Sequence, residues 1–447
     1  MEMDLLIHNA LVLTLEPGAD WLPDGFVAIR GGRIAAVGRG GEQASLPPAK
    51  ESLDARGNLV LPGLVNTHCH APMVWFRGLA DDLPLRQWLT DFIFPAETGW
   101  LDAEKAYWGT LLAAAEMIRG GITTVADGYF FATEVRRALA HSGLRAVAAQ
   151  GVVDFPAPGV PDPKDNLKVA AAFLESGAEV TPERLISTIF CHSPYTCGPQ
   201  TLRAAKDLTR ARRLPFFLHL SETRQEVEEI RAQTGLSPGF YLDSLGLLDE
   251  LTVAVHANWL HPEEMELLAR RGVKVSHCPE SSLKLAAGVA PVPELMALGV
   301  TVGLGTDGAA SNNNLDLFGE MSLAARLHKV WRRDPTVLPA GEVVAMATRQ
   351  GAGVLGLEDR IGTLTPGKEA DLIVLAMPQP HLTPLYDPYS HLVYAARAAD
   401  VRHVMVGGRW LLRHRQLTTL DGEAICRRVQ AHSRDLAAFT RKLRPRS

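Results

Sequence analysis

Residues 59–70 read LVLPGLVNTHCH, a compact apolar run that ends in two histidines, His68 and His70, with one residue between them. Runs of the same texture recur through the middle of the chain: ITTVADGYF (122–130), LRAVAAQGVVD (144–154), LISTIFCHSPY (185–195), LPFFLHLSE (214–222), LTVAVHANW (251–259), VKVSHCPES (273–281) and VTVGLGTDG (300–308). Longer amphipathic stretches lie between them, among them EKAYWGTLLAAAEMIRG (104–120), QTLRAAKDLTRARR (200–213) and PEEMELLARRG (262–272). These carry apolar residues at i, i+3 and i+4 and end near Gly or a basic residue, the pattern of one-sided helices. Eight strand candidates, each followed by a helical stretch, give the count of a (β/α)8 TIM-like barrel, an α/β fold.

Both chain ends have a different texture. LLIHNALVLTL (5–15), GFVAIRGG (25–32) and RIAAVGRG (33–40) are short, rich in β-formers and punctuated by Gly, Pro and Asp. ADLIVLAM (370–377) and VRHVMVGGRWLLRHRQL (401–417) match them near the other end. The expected organisation is a small composite β-sandwich domain made from residues 1–60 and 363–447, the latter with a terminal helix, around a catalytic barrel at 61–362.

Composition narrows the class. At 447 residues, with 47% hydrophobic and 21% charged, the chain can bury a large core and is not disordered. Lys+Arg 45 against Asp+Glu 50 leaves no basic excess for nucleic acid. The start, MEMDLLIHNALVLTLEPG, is acidic and interrupted by His8 and Asn9, which is unlike a signal peptide. No uncharged apolar run reaches membrane-spanning length. Five scattered cysteines without C-x-x-C suit neither a disulfide framework nor a zinc ribbon. A cytoplasmic location is the expectation.

Barrel active sites sit at the C-terminal ends of the strands. Following the eight runs, those ends carry His68 and His70, Asp127, Gln150 and Asp154, His192, His219 and Glu222, His256, His277 and Asp307. One histidine beside a strand is usually a satisfied structural group; this many in one barrel is not a structural accident. His68 and His70 are two apart on an extended segment, so both project from one face. With His219 and Asp307 they make three nitrogens and one carboxylate, the open donor set of a catalytic zinc site. A divalent ion lowers the pKa of a bound water toward about 7, and Asp307 would take its proton. Glu222 is either a helix-start acid or the acid that protonates a substrate ring nitrogen; its place beside a ligand favours the second. His256 is either a fourth imidazole or a donor that aims the attacking water. The ligands already present favour the donor.

PGLVNTHCHAPMVWFRGLADDLPLRQWL, HSPYTC, FLHLSET, HCPESSLKLAAG, GLGTDGAASNNNLDLFGEM and KEADLIVL together resemble the amidohydrolase superfamily, and within it the 5′-methylthioadenosine/S-adenosylhomocysteine deaminases. The resemblance spans essentially the whole chain. It implies a barrel with a composite β domain, one divalent metal ion, most often Zn2+, and hydrolytic deamination of an adenine nucleoside. It implies His68, His70, His219 and Asp307 as metal ligands, Glu222 as the proton-transfer acid at the purine, and His256 as the residue orienting the water. Glu97 would bind the ribose hydroxyls and His192 would touch substrate, with Trp88 and Ser311 lining the same pocket. A homo-oligomer, dimer or tetramer, is expected.

Three positions depart from the family pattern. Gln150 and Asp162 stand where arginines hold the amino-acid carboxylate in members that take S-adenosylhomocysteine, and Ser282 replaces a common Asn. Arginine forks suit carboxylates and these residues do not. The expectation is 5′-methylthioadenosine as the preferred substrate. The alternatives are a triazine hydrolase, a guanine deaminase, or a nucleoside-binding barrel without turnover. A two-metal amidase is disfavoured because the fourth run has no lysine, and a cytidine-type deaminase because its P-C-x-x-C is missing.

Overall fold

The computed structural model describes residues 2–177 and 184–443. Eight parallel strands stand side by side in chain order: Leu64–Cys69, Ile122–Tyr129, Arg145–Val152, Leu185–Cys191, Phe216–Leu220, Thr252–His256, Lys274–His277 and Val302–Leu304. They are referred to below as the first to eighth barrel strands. Nearly every residue in them is buried, because helices cover the outside and side chains fill the inside. That is why these runs read as continuous apolar stretches rather than alternating ones.

The eighth strand returns to the first mainly through side chains. Asn66 donates to Thr306 Oγ1 at 2.8 Å and accepts from the Thr306 amide at 3.0 Å, and the Asp307 amide donates to the His68 carbonyl at 3.0 Å. The approach is close enough to need glycine: a Cβ on Gly303 would lie 2.6 Å from Thr67 Cγ2, and one on Gly305 2.8 Å from His68 Cβ. The Gly-x-Gly spacing of VGLGTDG therefore brings Asp307 beside His68.

The chain ends form one mixed nine-stranded sheet. Its two halves join where Leu59–Pro62 pairs antiparallel with Leu372–Leu375, Leu61 opposite Ile373. Leu5, Ile7, Val27, Ile29, Val60, Leu372, Val374 and Met405 give it a core of its own. Two hairpins turn on glycine pairs with positive φ, Gly31–Gly32 and Gly407–Gly408, and the turns abut: a Cβ on Gly408 would meet Gly32 Cα at 2.6 Å. Sheet and barrel are tied by buried Arg145 on the third barrel strand, which donates to Asp371 (2.8 Å) and Glu369 just ahead of the Leu372–Leu375 strand. The terminal helix, Gly422–Leu443, lies on the barrel, against the helices Ala103–Arg119 and Phe94–Trp100, with Phe439 over Gly99.

Candidate active site

His68, His70 and His219 bring their imidazole nitrogens together at the mouth of the barrel, and His68, His256 and Asp307 form an overlapping group. His68 Nε2 lies 3.4 Å from His219 Nε2 and 3.4 Å from Asp307 Oδ1; His70 Nε2 is 3.5 Å from the same oxygen. The outer nitrogens decide the tautomers. His70 Nδ1 faces the Gly128 carbonyl at 2.5 Å and His219 Nδ1 the His192 carbonyl at 2.8 Å. A carbonyl can only accept, so both Nδ1 atoms carry the proton and both Nε2 lone pairs point inward, as metal ligation needs. Burial also pulls the His70 pKa down to about 4 and keeps its ring neutral, protonation being further disfavoured beside the His68 ring. The donor set fits one divalent metal ion.

Asp307 is anchored on its other side. Ser281 Oγ and Ser311 Oγ donate to Oδ2 at 2.7 and 2.9 Å, and the Gly308 amide to Oδ1 at 2.7 Å. Burial pushes its carboxyl up, but the hydrogen bond and field of His68, with His70 and His256, outweigh this and hold it well below the usual carboxylate range. Ser311 thus reaches the cavity as a support for Asp307. Ser281 was not singled out from the sequence, although it lies four residues after His277 in the HCPESS segment.

Glu222 does not serve the helix that follows it. Thr223 caps Arg224–Thr234, and the Glu226 carboxylate takes the amides of Ser221 and Glu222 at 2.8 Å each. With those groups satisfied, the Glu222 side chain is free to face the cavity, 3.8 Å from His256 Nε2. Burial, aided by the charges of Asp307 and Glu226, pushes its carboxyl well above the ordinary range. Ser221, His256, Ala257 and Asp307 all have positive φ, between 49 and 71°. Such conformations are costly for non-glycine residues and gather at functional sites.

One cavity joins His70, His219, Glu222, His256 and Asp307 to Glu97, Trp88, His192 and Ser311. Glu97 sits on the helix Phe94–Trp100, is buried, and accepts from Tyr129 OH at 2.5 Å; burial raises its pKa to about 7. Trp88 both lines the cavity and belongs to the surrounding apolar core. His192 is neutral, its pKa drawn down to about 3 chiefly by burial, and a second positive charge is disfavoured beside the His70 ring. Phe94, Phe155, Pro156 and Pro158 form an apolar wall, with the Phe94 and Phe155 rings 5.4 Å apart. Among the described residues that line the cavity there is no Lys or Arg. Gln150 turns away, bonding the Gly151 carbonyl and the Ala132 amide, and Asp162 caps the short turn Pro163–Asp165 at the surface. Ser282 bonds Asn258, which in turn holds the Glu222 carbonyl. His277 is not part of the group; it is buried against His328.

The chain belongs to the amidohydrolase family, whose sequence model matches residues 59–411. It is 47% identical over 97% of its length, and 98% of the relative's, to a 5-methylthioadenosine/S-adenosylhomocysteine deaminase of Syntrophobacter fumaroxidans. It is 44% identical over 92% of its length, and 95% of the relative's, to a 5′-deoxyadenosine deaminase of Methanothermobacter thermautotrophicus. Its fold matches the crystal structure of an adenosine deaminase from Xanthomonas campestris with bound zinc at a TM-score of 0.94, with 37% identity and 99% of both chains covered.

Proposed function

We propose that the protein is a metal-dependent hydrolase that deaminates an adenine nucleoside with an apolar 5′ group, 5′-methylthioadenosine above all, to the corresponding inosine and ammonia. The observation that carries this is the convergence of His70, His219, His256, Asp307 and Glu222 on one cavity with an apolar far wall, with His68 grouped beside them. One Zn2+ per chain, on His68, His70, His219 and Asp307, is the proposed cofactor; when bound it acidifies a water toward neutral pH. Asp307 takes the proton as that water's oxygen adds to C6 of the purine. Glu222, whose carboxyl is pushed well above the ordinary range by burial, gives its proton to the ring nitrogen next to C6. His256 orients the water. The proton held by Asp307 then passes to the amino group, the C6–N bond breaks and ammonia leaves, and the remaining hydroxyl proton returns to Glu222 as the C6 carbonyl forms.

Glu97 is proposed to clamp the ribose diol, since two O–H donors can share one carboxylate. The segment Asp154–Gly159 supplies the wall for the 5′ group. Relatives with nucleoside names at 44–47% identity weigh against the triazine and guanine readings, and the full set of chemical groups weighs against binding without turnover. No helix among the described residues is long and apolar enough to cross a membrane. A cytoplasmic setting, which suits five unpaired cysteines, and a homo-oligomeric state complete the proposal.

The test is kcat/KM for 5′-methylthioadenosine, adenosine and S-adenosylhomocysteine in one buffer, followed by ammonia release. The expected order is as written, because among the described residues no Lys or Arg lines the cavity to meet a carboxylate tail. A clear preference for S-adenosylhomocysteine overturns the reading of the 5′ wall. Absence of turnover on all three, with the metal bound, overturns the nucleoside reading.

A further inference from the structure

Asp127, at the end of the second barrel strand, is a buried carboxylate that the proposed chemistry does not use. Its Oδ2 accepts the amide of Ala71 at 2.5 Å. Its Oδ1 is buried and has no hydrogen-bond partner. Asp127 lines a small space shared with His68, Phe190 and Phe217. The next residue, Gly128, offers its carbonyl to His70 Nδ1, and any side chain on Gly128 would collide with Phe190. Two successive residues of the second strand therefore grip the two residues that follow the first: Gly128 the ring of His70, Asp127 the backbone amide of Ala71.

Ala71 opens a tight 3-10 turn, Ala71–Phe76, for which His70 is the N-cap and offers no side-chain cap of its own. The first amides of such a turn have no internal partner, and an outside acceptor must satisfy them. Asp127 is that acceptor for Ala71. Without it, the peptide joining His70 to Ala71 is left with a buried unpaired N–H, and the dihedral that aims the His70 ring loses its stop.

We infer that Asp127 is a positioning residue for His70: its carboxylate caps the turn behind the H-x-H segment and so fixes the direction of the His70 Nε2 lone pair. The inference rests on the reading of His70 as a metal ligand. It requires an acceptor at position 127, and an amide oxygen serves there as a carboxylate does.

The experiment compares Asp127→Ala with Asp127→Asn in the full chain. Zinc affinity is measured by competition with a chromogenic chelator, and the visible spectrum is taken after cobalt(II) substitution. Circular dichroism and the melting temperature of the metal-free forms check folding. Outer partners of metal-bound histidines typically contribute about 10–100-fold in affinity. The expected result is a loss of that size in Asp127→Ala, with an altered cobalt spectrum, and recovery of both in Asp127→Asn. Zinc held as tightly by Asp127→Ala as by the unaltered chain overturns the inference. So does Asp127→Asn as weak as Asp127→Ala, because charge and not the cap is then what matters. Should Asp127→Ala fail to fold, Asp127→Asn still decides: normal affinity and spectrum support the cap, and loss of either overturns it. If the unaltered chain binds neither zinc nor cobalt, the reading of His70 as a ligand fails first and the inference falls with it.

Discussion

Glu222 and Asp307 are both buried carboxyls, and their surroundings drive them apart: Glu222 well up, through burial and neighbouring negative charge, and Asp307 well down, through the imidazoles around it. Two acids of separated pKa are what a reaction needs when one must deliver a proton and the other collect it. Glu222→Gln keeps the shape and removes the proton. General acid–base groups contribute about 10²–10⁴-fold, so kcat should fall by that order while metal content per chain stays the same. A near-normal kcat would return Glu222 to a structural role. Glu97 gives a pH signature. Its pKa is raised to about 7, so it is a charged acceptor above that pH and increasingly protonated below it. kcat/KM for a nucleoside with both ribose hydroxyls should therefore drop as pH falls through about 7. Glu97→Gln should lower kcat/KM and flatten that limb; an unchanged pH profile in Glu97→Gln would remove Glu97 from substrate binding.

At the scale of elements, the wall proposed for the 5′ group is held rather than loose. Asp154 accepts the Gly198 amide at 2.6 Å and Thr201 Oγ1 at 2.8 Å, tying the loop to the start of the helix Pro199–Arg210. Asn166 holds the Val153 carbonyl, and Ala157 and Val160 exchange backbone bonds. Asp154→Ala removes the tie to the helix without touching the cavity surface. Both bonds are exposed to solvent, so each contributes the net about 0.5–1.5 kcal/mol of an ordinary hydrogen bond. The expected outcome is a KM for 5′-methylthioadenosine raised several-fold, with a smaller change for adenosine, which has no methylthio group to pack. Equal effects on both substrates would show that the loop does not form the 5′ wall.

At the scale of the molecule, the composite sheet and the barrel meet at a buried ion-pair cluster. Arg145 faces Asp371 and Glu369, and Glu369 also pairs with Arg360. Removing one member of a buried pair typically destabilises by about 3–5 kcal/mol, because the partner charge stays buried. Glu369 is shared with Arg360 and Asp371 keeps the Gly407 amide, so the lower end of that range applies. Arg145→Met should lower the melting temperature by several degrees. At temperatures where the variant remains folded, kcat should be nearly unchanged, since the cluster lies away from the catalytic mouth. Calorimetry and an assay at 25 °C check the two halves; loss of kcat in a folded variant would mean that the interface also shapes the site.

The βα alternation, the H-x-H pair and the polar residue after each strand were legible because they are local: strand period places His68 and His70 on one face, and a barrel gathers its strand ends at one mouth. The composite sheet was legible from like texture at the two ends. Other features depend on residues far apart in sequence, and only the tertiary structure decided them. His277 follows its strand as His256 does, yet it packs against His328 on the helix Leu317–Arg332. Gln150, read as facing the 5′ end of the substrate, turns into the backbone around it. Ser281 and Tyr129 carry no pattern of their own and matter through a bond to Asp307 and to Glu97. Asp127 matters through a bond to the residue after His70. Sequence period says which residues share a face. Which of those faces meets another at hydrogen-bond distance is set by barrel closure, where glycines at 303 and 305 let the eighth strand approach the first and bring Asp307 to the histidines.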